Sequence, residues 1–315
     1  MGEILNLRRL VGQTSVPSLH APAAVSAAVS LEPLALLLAE TAAGNERAFA
    51  RLYELTSGRM RAIARGIVGR TDVADDIVQE SFLRVWRWAH RYDPNKGPAY
   101  AWLVRIVRNR ALSAKDQLHR REDGHCELDA EALVFPDRDP ADQAMRSEEA
   151  RQVKACLANL PLNHRRSVTL VYFEGLTHRE LAARLGVQLG TAKSWVRRGL
   201  AQISRCMSGG ADADWRELVA AQYAVGSLQG ASRLGFERRR ERDARYCHAV
   251  DAWENRLALL TEFLPDNEPV PLDIWNRIAQ QIQRERVYLS RPLFWQATSV
   301  GLALAALALL VLVLR

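Results

Sequence analysis

Apolar and polar positions follow a helical rhythm along almost the whole chain. Between Leu34 and Asp116 the spacing predicts a helix from Leu34 to about Leu55, another from Ser57 to Val68, and a third, capped by Thr71 or Asp72, running to about His90. On the third helix Val73, Ile77, Val78, Ser81, Val85 and Trp88 form one stripe, while Leu83 and Trp86 project to the other side among Asp75, Asp76, Gln79 and Arg87. A second apolar patch ringed by charge predicts a docking surface for another protein, with a helix buried on two sides as the alternative. Beyond a loop marked by Pro94, Gly97 and Pro98, a fourth helix sets Arg105, Arg108, Asn109 and Lys115 outside an apolar face of Trp102, Leu103, Ile106 and Val107. Cations beside an aromatic-bearing loop suit a nucleic-acid strand with splayed bases; a solvated basic face fits the same pattern.

Residues 177–205 carry the sharpest local signal. Thr177 and Glu180 make a capping box, Leu181, Ala182 and Leu185 a buried face, and Gly186 a turn. A second helix starting near Gly190 and Thr191 places Ala192, Val196, Gly199, Leu200 and Ile203 on one side, and leaves Lys193, Ser194, Arg197, Arg198 and Arg205 outside. A short helix, a glycine turn and a helix with a basic outer face are what a major-groove reader needs, although an ordinary helical hairpin shares the pattern.

The segment from Ser208 to Asp214 marks a boundary. Short amphipathic stretches follow over Trp215–Gln229, residues 233–246, residues 247–264 and residues 272–283, with a loop from Pro265 to Pro271. Helices this short cannot build a large core alone, so they imply a partner surface. From Leu293 to Leu314 no residue is charged, and as a helix this run would reach about 33 Å, so a transmembrane helix is expected, with a buried core helix as the alternative. Arg277, Arg284, Arg286 and Arg291 precede it and only Arg315 follows, which by the positive-inside rule puts residues 1–291 in the cytoplasm. Residues 1–33 hold Arg8 and Arg9 but no compact apolar run; they read as a disordered leader, or the true start lies nearer residue 34.

Charge and composition narrow the function. A net charge of +7 favours a polyanionic partner. Cys126, Cys156, Cys206 and Cys247 stand far apart with no metal-ligand spacing, which predicts reduced thiols, no metal and no disulfide framework. Among the motifs there is no glycine-rich phosphate loop, nucleophile elbow or paired catalytic carboxylate, so neither enzymatic activity nor a cofactor is expected.

The order of DDIVQESFLRVW, a DP-x-x-G loop, AWLVRIVRNRAL, a polar linker and a helix-turn-helix ending GTAKSWVRRGL closely resembles a bacterial RNA polymerase sigma factor of the extracytoplasmic-function group, over residues 34–207. The resemblance implies that Asp75, Asp76, Gln79, Glu80, Leu83 and Trp86 bind the polymerase core at the β′ clamp helices. It implies that Arg105, Arg108, Asn109 and Arg110 contact the promoter minus-10 element, and that Thr191, Lys193, Ser194, Arg197 and Arg198 read the minus-35 element, with the β flap as a further core contact. Trp195 departs from the arginine common at its position. The acidic segment from about His119 to Met145 reads as a tether between the two domains or a nucleic-acid mimic.

The pattern AQYAVGSLQG, FERRRERD, AVDAWENRLALL and P-x-x-IWNRI before an apolar run resembles the cytoplasmic domain of membrane-bound anti-sigma factors, over residues 212–315, without the zinc ligands of some relatives. The expected fold class is thus all-α: a leader (1–33), region 2 (34–118), a linker (119–147), region 4 (148–207), a short linker (208–213), an anti-sigma domain (214–291) and a transmembrane helix (293–314). The two resemblances imply a transcription initiation factor held inactive at the inner membrane by contact with its own inhibitor, with core polymerase, promoter DNA, the membrane and a regulatory protease as partners. A membrane-tethered DNA-binding regulator and a sigma-sequestering protein are the rival readings.

Overall fold

Asn45 decides where the first helices divide. In the computed structural model, which describes residues 31–121, 148–212, 214–264 and 270–290, the Asn45 side chain accepts from the N–H groups of Arg47 and Ala48 and so starts α2 (Glu46–Val68), just after Gly44 lets the chain turn out of α1 (Leu31–Ala42). The break expected near residue 56 is therefore absent. Thr56 lies inside α2 and satisfies its hydroxyl by donating to the Leu52 carbonyl at 2.7 Å. Helices α3 (Thr71–Trp88) and α4 (Ala99–Arg121) complete a first bundle, joined by two single 3-10 turns at Ala89–Arg91 and Pro94–Lys96. Its interior holds Leu34, Leu38, Phe49, Met60, Ile77, Phe82 and Leu103, with Phe82 set edge-on to both Phe49 and Tyr53.

The second bundle comprises α5 (Glu148–Ala158), α6 (Leu162–Glu174), α7 (His178–Leu185) and α8 (Leu189–Met207). Three more helices, α9 (Trp215–Ala224), α10 (Gly230–Arg242) and α11 (Ala244–Leu260), finish its core rather than build one of their own. Val168, Val171, Val196 and Leu200 belong to one continuous buried cluster with Ala220, Val225, Phe236, Trp253 and Leu257. Removing Phe236 and Trp253 from water contributes about 2–3 kcal/mol each, enough to hold α9–α11 on this bundle. Tyr246 and Tyr223 flank Phe236.

Cys156 of α5 and Cys206 of α8 form a disulfide, which corrects the expectation of reduced thiols. Fifty residues separate them in sequence, but packing of the two helices brings their Cα atoms to 5.8 Å. Breaking the bridge returns the entropy of a loop of that length to the unfolded chain and lowers stability by about 2–4 kcal/mol. Cys206→Ser is accordingly expected to lower the thermal unfolding midpoint by several degrees, whereas Cys247→Ser, which removes a thiol outside any bridge, leaves it within a degree or so.

The last described helix, α12 (Leu272–Ser290), belongs to a separate unit and buries Ile274, Trp275, Ile278 and Ile282 at helical spacing. No described helix is long and apolar enough to cross a membrane. This corrects the transmembrane element of the expected fold class and the single-pass inner-membrane placement built on it. Helix α12 itself carries Asp273, Arg277, Arg284 and Glu285 along its length, each of which would have to lose its water in hydrocarbon. The apolar run at 293–314 lies outside the described residues, as do the leader at 1–30 and residues 122–147 of the acidic linker. The all-α class itself is observed, with twelve α-helices among the described residues.

Candidate nucleic-acid interface

Two basic surfaces stand in contrasting surroundings. The first is built by the helix-turn-helix. Thr177 Oγ1 accepts from the Glu180 N–H at 3.2 Å and the Glu180 carboxylate accepts from the Thr177 N–H at 2.6 Å, completing the capping box. Gly186 ends α7 with φ of +64°, a left-handed turn that favours glycine. Helix α8 then buries Ala192, Val196, Gly199, Leu200 and Ile203, the five positions its periodicity predicts. A Cβ at Gly199 would stand 2.7 Å from the Val168 side chain, so glycine is what allows α8 to cross α6 closely. Lys193, Arg197 and Arg198 are exposed, Thr191, Ser194 and Trp195 are half-buried, and none of the three cations makes a side-chain ion pair among the described residues.

Burial, with Lys193 nearby, lowers the affinity of the His178 ring for its proton. A histidine depressed in this way contributes stability above the ordinary histidine value and loses it as pH falls through that value. The protein is expected to unfold at a lower temperature at about pH 5 than at about pH 7.5, and His178→Gln to remove part of that difference. A difference unchanged by the substitution would show that His178 is not the group responsible.

The second surface is α4. Its cations were expected outside the apolar face, yet Arg108 and Lys115 are buried. The Arg108 guanidinium donates to the carbonyls of Val225 at 2.6 Å, Ala224 at 3.0 Å and Tyr172 at 3.2 Å, and lies 4.4 Å from the Tyr172 ring centre. Lys115 Nζ donates to the carbonyls of Glu174 at 2.7 Å and Gly175 at 3.2 Å. Arg105 pairs with Asp251 at 3.0 Å and Glu254 at 2.5 Å.

These acceptors share a physical origin. Tyr172, Glu174 and Gly175 close α6, Ala224 and Val225 close α9, and helix C-termini present unpaired carbonyls at the negative end of the dipole. Asp251 and Glu254, one turn apart on α11, add two carboxylates. Burial pushes the Glu254 carboxyl above the usual range, against the opposing pull of Arg105, and also raises the Tyr172 phenol; burial lowers the Arg108 guanidinium. Around this core Asn255 Nδ2 donates to the Lys96 carbonyl at 2.8 Å, and the hydroxyls of Tyr100 and Thr261 share a hydrogen bond at 2.9 Å. Gly97 sits under Asn255, where a Cβ would come 2.2 Å from the amide nitrogen. At Gly66 a Cβ would stand 2.9 Å from the Phe173 carbonyl, so α2 approaches α6 closely as well.

The α4 surface is thus closed by α6, α9 and α11. Asn109 remains exposed, and Arg110 is held by Glu80, whose carboxyl it keeps below the ordinary range. On α3, Asp75 pairs with Arg61 at 2.6 Å, Gln79 is half-buried, and Asp76 and Glu80 are exposed. Leu83 is buried and Trp86 packs edge-on against Phe49 at 5.3 Å between ring centres, so the apolar patch expected outside is largely internal. Trp88, expected inward, is 38% exposed between the guanidinium groups of Arg84 and Arg91. Asp251, Glu254, Asn255 and Thr261 have no site role in the sequence reading, where Glu254 enters only beside Trp253 as part of the anti-sigma resemblance. Their one visible signal was the AVDAWENRLALL pattern, which names no target.

Comparison with known proteins separates the same parts. The family model for Sigma-70 region 2 matches residues 52–121, and that for Sigma-70, region 4 matches residues 150–203. The protein named ECF RNA polymerase sigma factor SigK from Mycobacterium ulcerans (strain Agy99) is 32% identical over 181 residues, covering 56% of this chain and 94% of that protein. Its namesake from Mycobacterium tuberculosis (strain ATCC 25177 / H37Ra) is 33% identical over 175 residues, covering 54% of this chain and 91% of that protein. Among solved structures, that of CnrH in complex with the cytosolic domain of CnrY is 24% identical and covers 57% of this chain and 99% of that one, with a TM-score of 0.27, too low to equate the two arrangements.

Proposed function

Because the chain belongs to the ECF RNA polymerase sigma factors, a family of transcription initiation factors and not enzymes, we propose that it carries its own inhibitor in the helices after residue 214. In this reading residues 34–118 are region 2, residues 148–207 region 4 and residues 214–291 an anti-sigma domain. Core polymerase meets α3 at Asp75, Asp76, Gln79 and Glu80, with Leu83 and Trp86 packed behind them; the minus-10 element meets Arg105, Arg108, Asn109 and Arg110; the minus-35 element meets Thr191, Lys193, Ser194, Arg197 and Arg198. One observation supports inhibition above all others. The cations that would hold the minus-10 strand, Arg105 and Arg108, are paired with α11 carboxylates and helix-end carbonyls.

A covalent link makes this contact effective. An effective concentration on the order of millimolar turns even a micromolar contact into about one open molecule per thousand. Opening requires a ligand or partner that binds the open form better, since equal affinity for both forms shifts nothing. The test is run-off transcription with purified core polymerase on a matched promoter, comparing the full chain, residues 1–209 and a full chain whose α11 carboxylates are reversed in charge. A silent full chain with an active fragment or an active reversed variant supports the reading. Equal activity of all three forms would overturn the inhibitory role.

A further inference from the structure

The two DNA surfaces are not closed together. We propose that the closed chain binds duplex DNA through α8, and so occupies its target sites while unable to open them. The inference rests on the reading of region 4 as the minus-35 reader and adds that this activity survives inhibition.

The argument is one of placement along α8. The inhibitory helices engage its inner face and its C-terminal end: Val196, Leu200 and Ile203 join the core shared with Ala220 and Trp253, and Ser204 Oγ donates to the Glu217 carboxylate at 2.6 Å. Glu217 in turn pairs with Arg256 of α11 at 3.3 Å, tying α8, α9 and α11 at that end. The opposite end is open. Gln188, Leu189 and Gly190 are exposed where α8 begins, as are Lys193, Arg197 and Arg198 over its first turns. In a helix-turn-helix it is the N-terminal part of the second helix that contacts base edges. Across α7 and α8 the one acidic residue is Glu180, held in the capping box, so the exposed face offers cations to phosphate without an internal competitor.

On α4 the same residue types are spent on carbonyls and carboxylates. Engaging DNA through α8 needs no prior separation of α4 from α11. For the same reason duplex DNA, meeting the same α8 in both forms, does not by itself open the clamp that α6, α9 and α11 form on α4.

The test is selection from a randomised duplex library of about 25 base pairs, long enough for one helix-turn-helix site. It uses the full chain, the full chain with Asp251→Lys and Glu254→Lys, and each of these with Lys193→Ala, Arg197→Ala and Arg198→Ala. The closed and opened proteins are expected to enrich one sequence, with affinities within about tenfold of each other. The triple alanine variant is expected to lose about a hundredfold or more, and to flatten the salt dependence by up to about three phosphate contacts. An unchanged thermal unfolding midpoint identifies that loss as one of contact and not of fold. Binding by the opened protein alone would overturn the inference and leave the region 4 reading standing. Binding that survives the triple substitution would overturn it too, and binding by neither form would remove the region 4 reading itself.

Discussion

Replacing Asp251 and Glu254 by lysine is expected to raise run-off transcription by the full chain about a hundredfold, whereas Glu254→Gln alone changes it less than about tenfold. The difference between the two variants follows from the electrostatics of the site. Burial raises the Glu254 carboxyl in spite of Arg105 beside it, so the ion pair offsets desolvation without exceeding it. A neutral isostere forfeits little in that balance. Two lysines instead crowd three cations into one partly buried position and shift the closed–open equilibrium by about 3 kcal/mol, which corresponds to about a hundredfold. Both positions lie on α11 and are not themselves assigned to polymerase or promoter, and their contact is with Arg105, so the gain reads release of that arginine and not altered chemistry on DNA. A doubly substituted chain as silent as the original would show that the Arg105 contacts do not hold the inhibited state.

Arg108→Met is expected to do the opposite of what a clamp residue alone would do: it weakens the closed arrangement and yet yields no transcription. The guanidinium satisfies three main-chain carbonyls from two different helices. Methionine fills much of the volume but leaves those carbonyls buried without their donor, at a cost of about 3–5 kcal/mol. For a domain of this size that lowers the thermal unfolding midpoint by about 10 °C. Transcription stays low because Arg108 is also assigned to the minus-10 strand. Thermal unfolding and run-off transcription, read together with the charge-reversed α11 variant, separate the two roles. A stable Arg108→Met protein would mean that the bridge between α4 and the ends of α6 and α9 contributes little.

The legibility of this protein divides by the range of the interactions. The helix-turn-helix was read correctly down to its capping box, its glycine turn and five of the six buried positions of α8, because each depends on residues within one or two turns. The boundary between α1 and α2 was misplaced because Asn45 caps a helix that then absorbs Thr56 and Ser57, two residues that elsewhere end helices. On α3 periodicity identified the main stripe but exchanged the surroundings of Leu83 and Trp88; α1 and the 3-10 turn after α3 also pack on that bundle, and neither is visible from the helix itself. The disulfide escaped because cysteines fifty residues apart announce no pairing until α5 and α8 are packed.

By itself the sequence determined the all-α class, the two sigma regions and the presence of basic faces on α4 and α8, since helical period, caps and side-chain charge are local properties. Only the tertiary structure decided which basic face is covered. Arg108 meets Ala224 across 116 residues, and Tyr100 meets Thr261 across 161. Contacts at such separations depend on how completed helices pack, and it is that packing, more than the residue types of either face, that closes α4 and leaves α8 open.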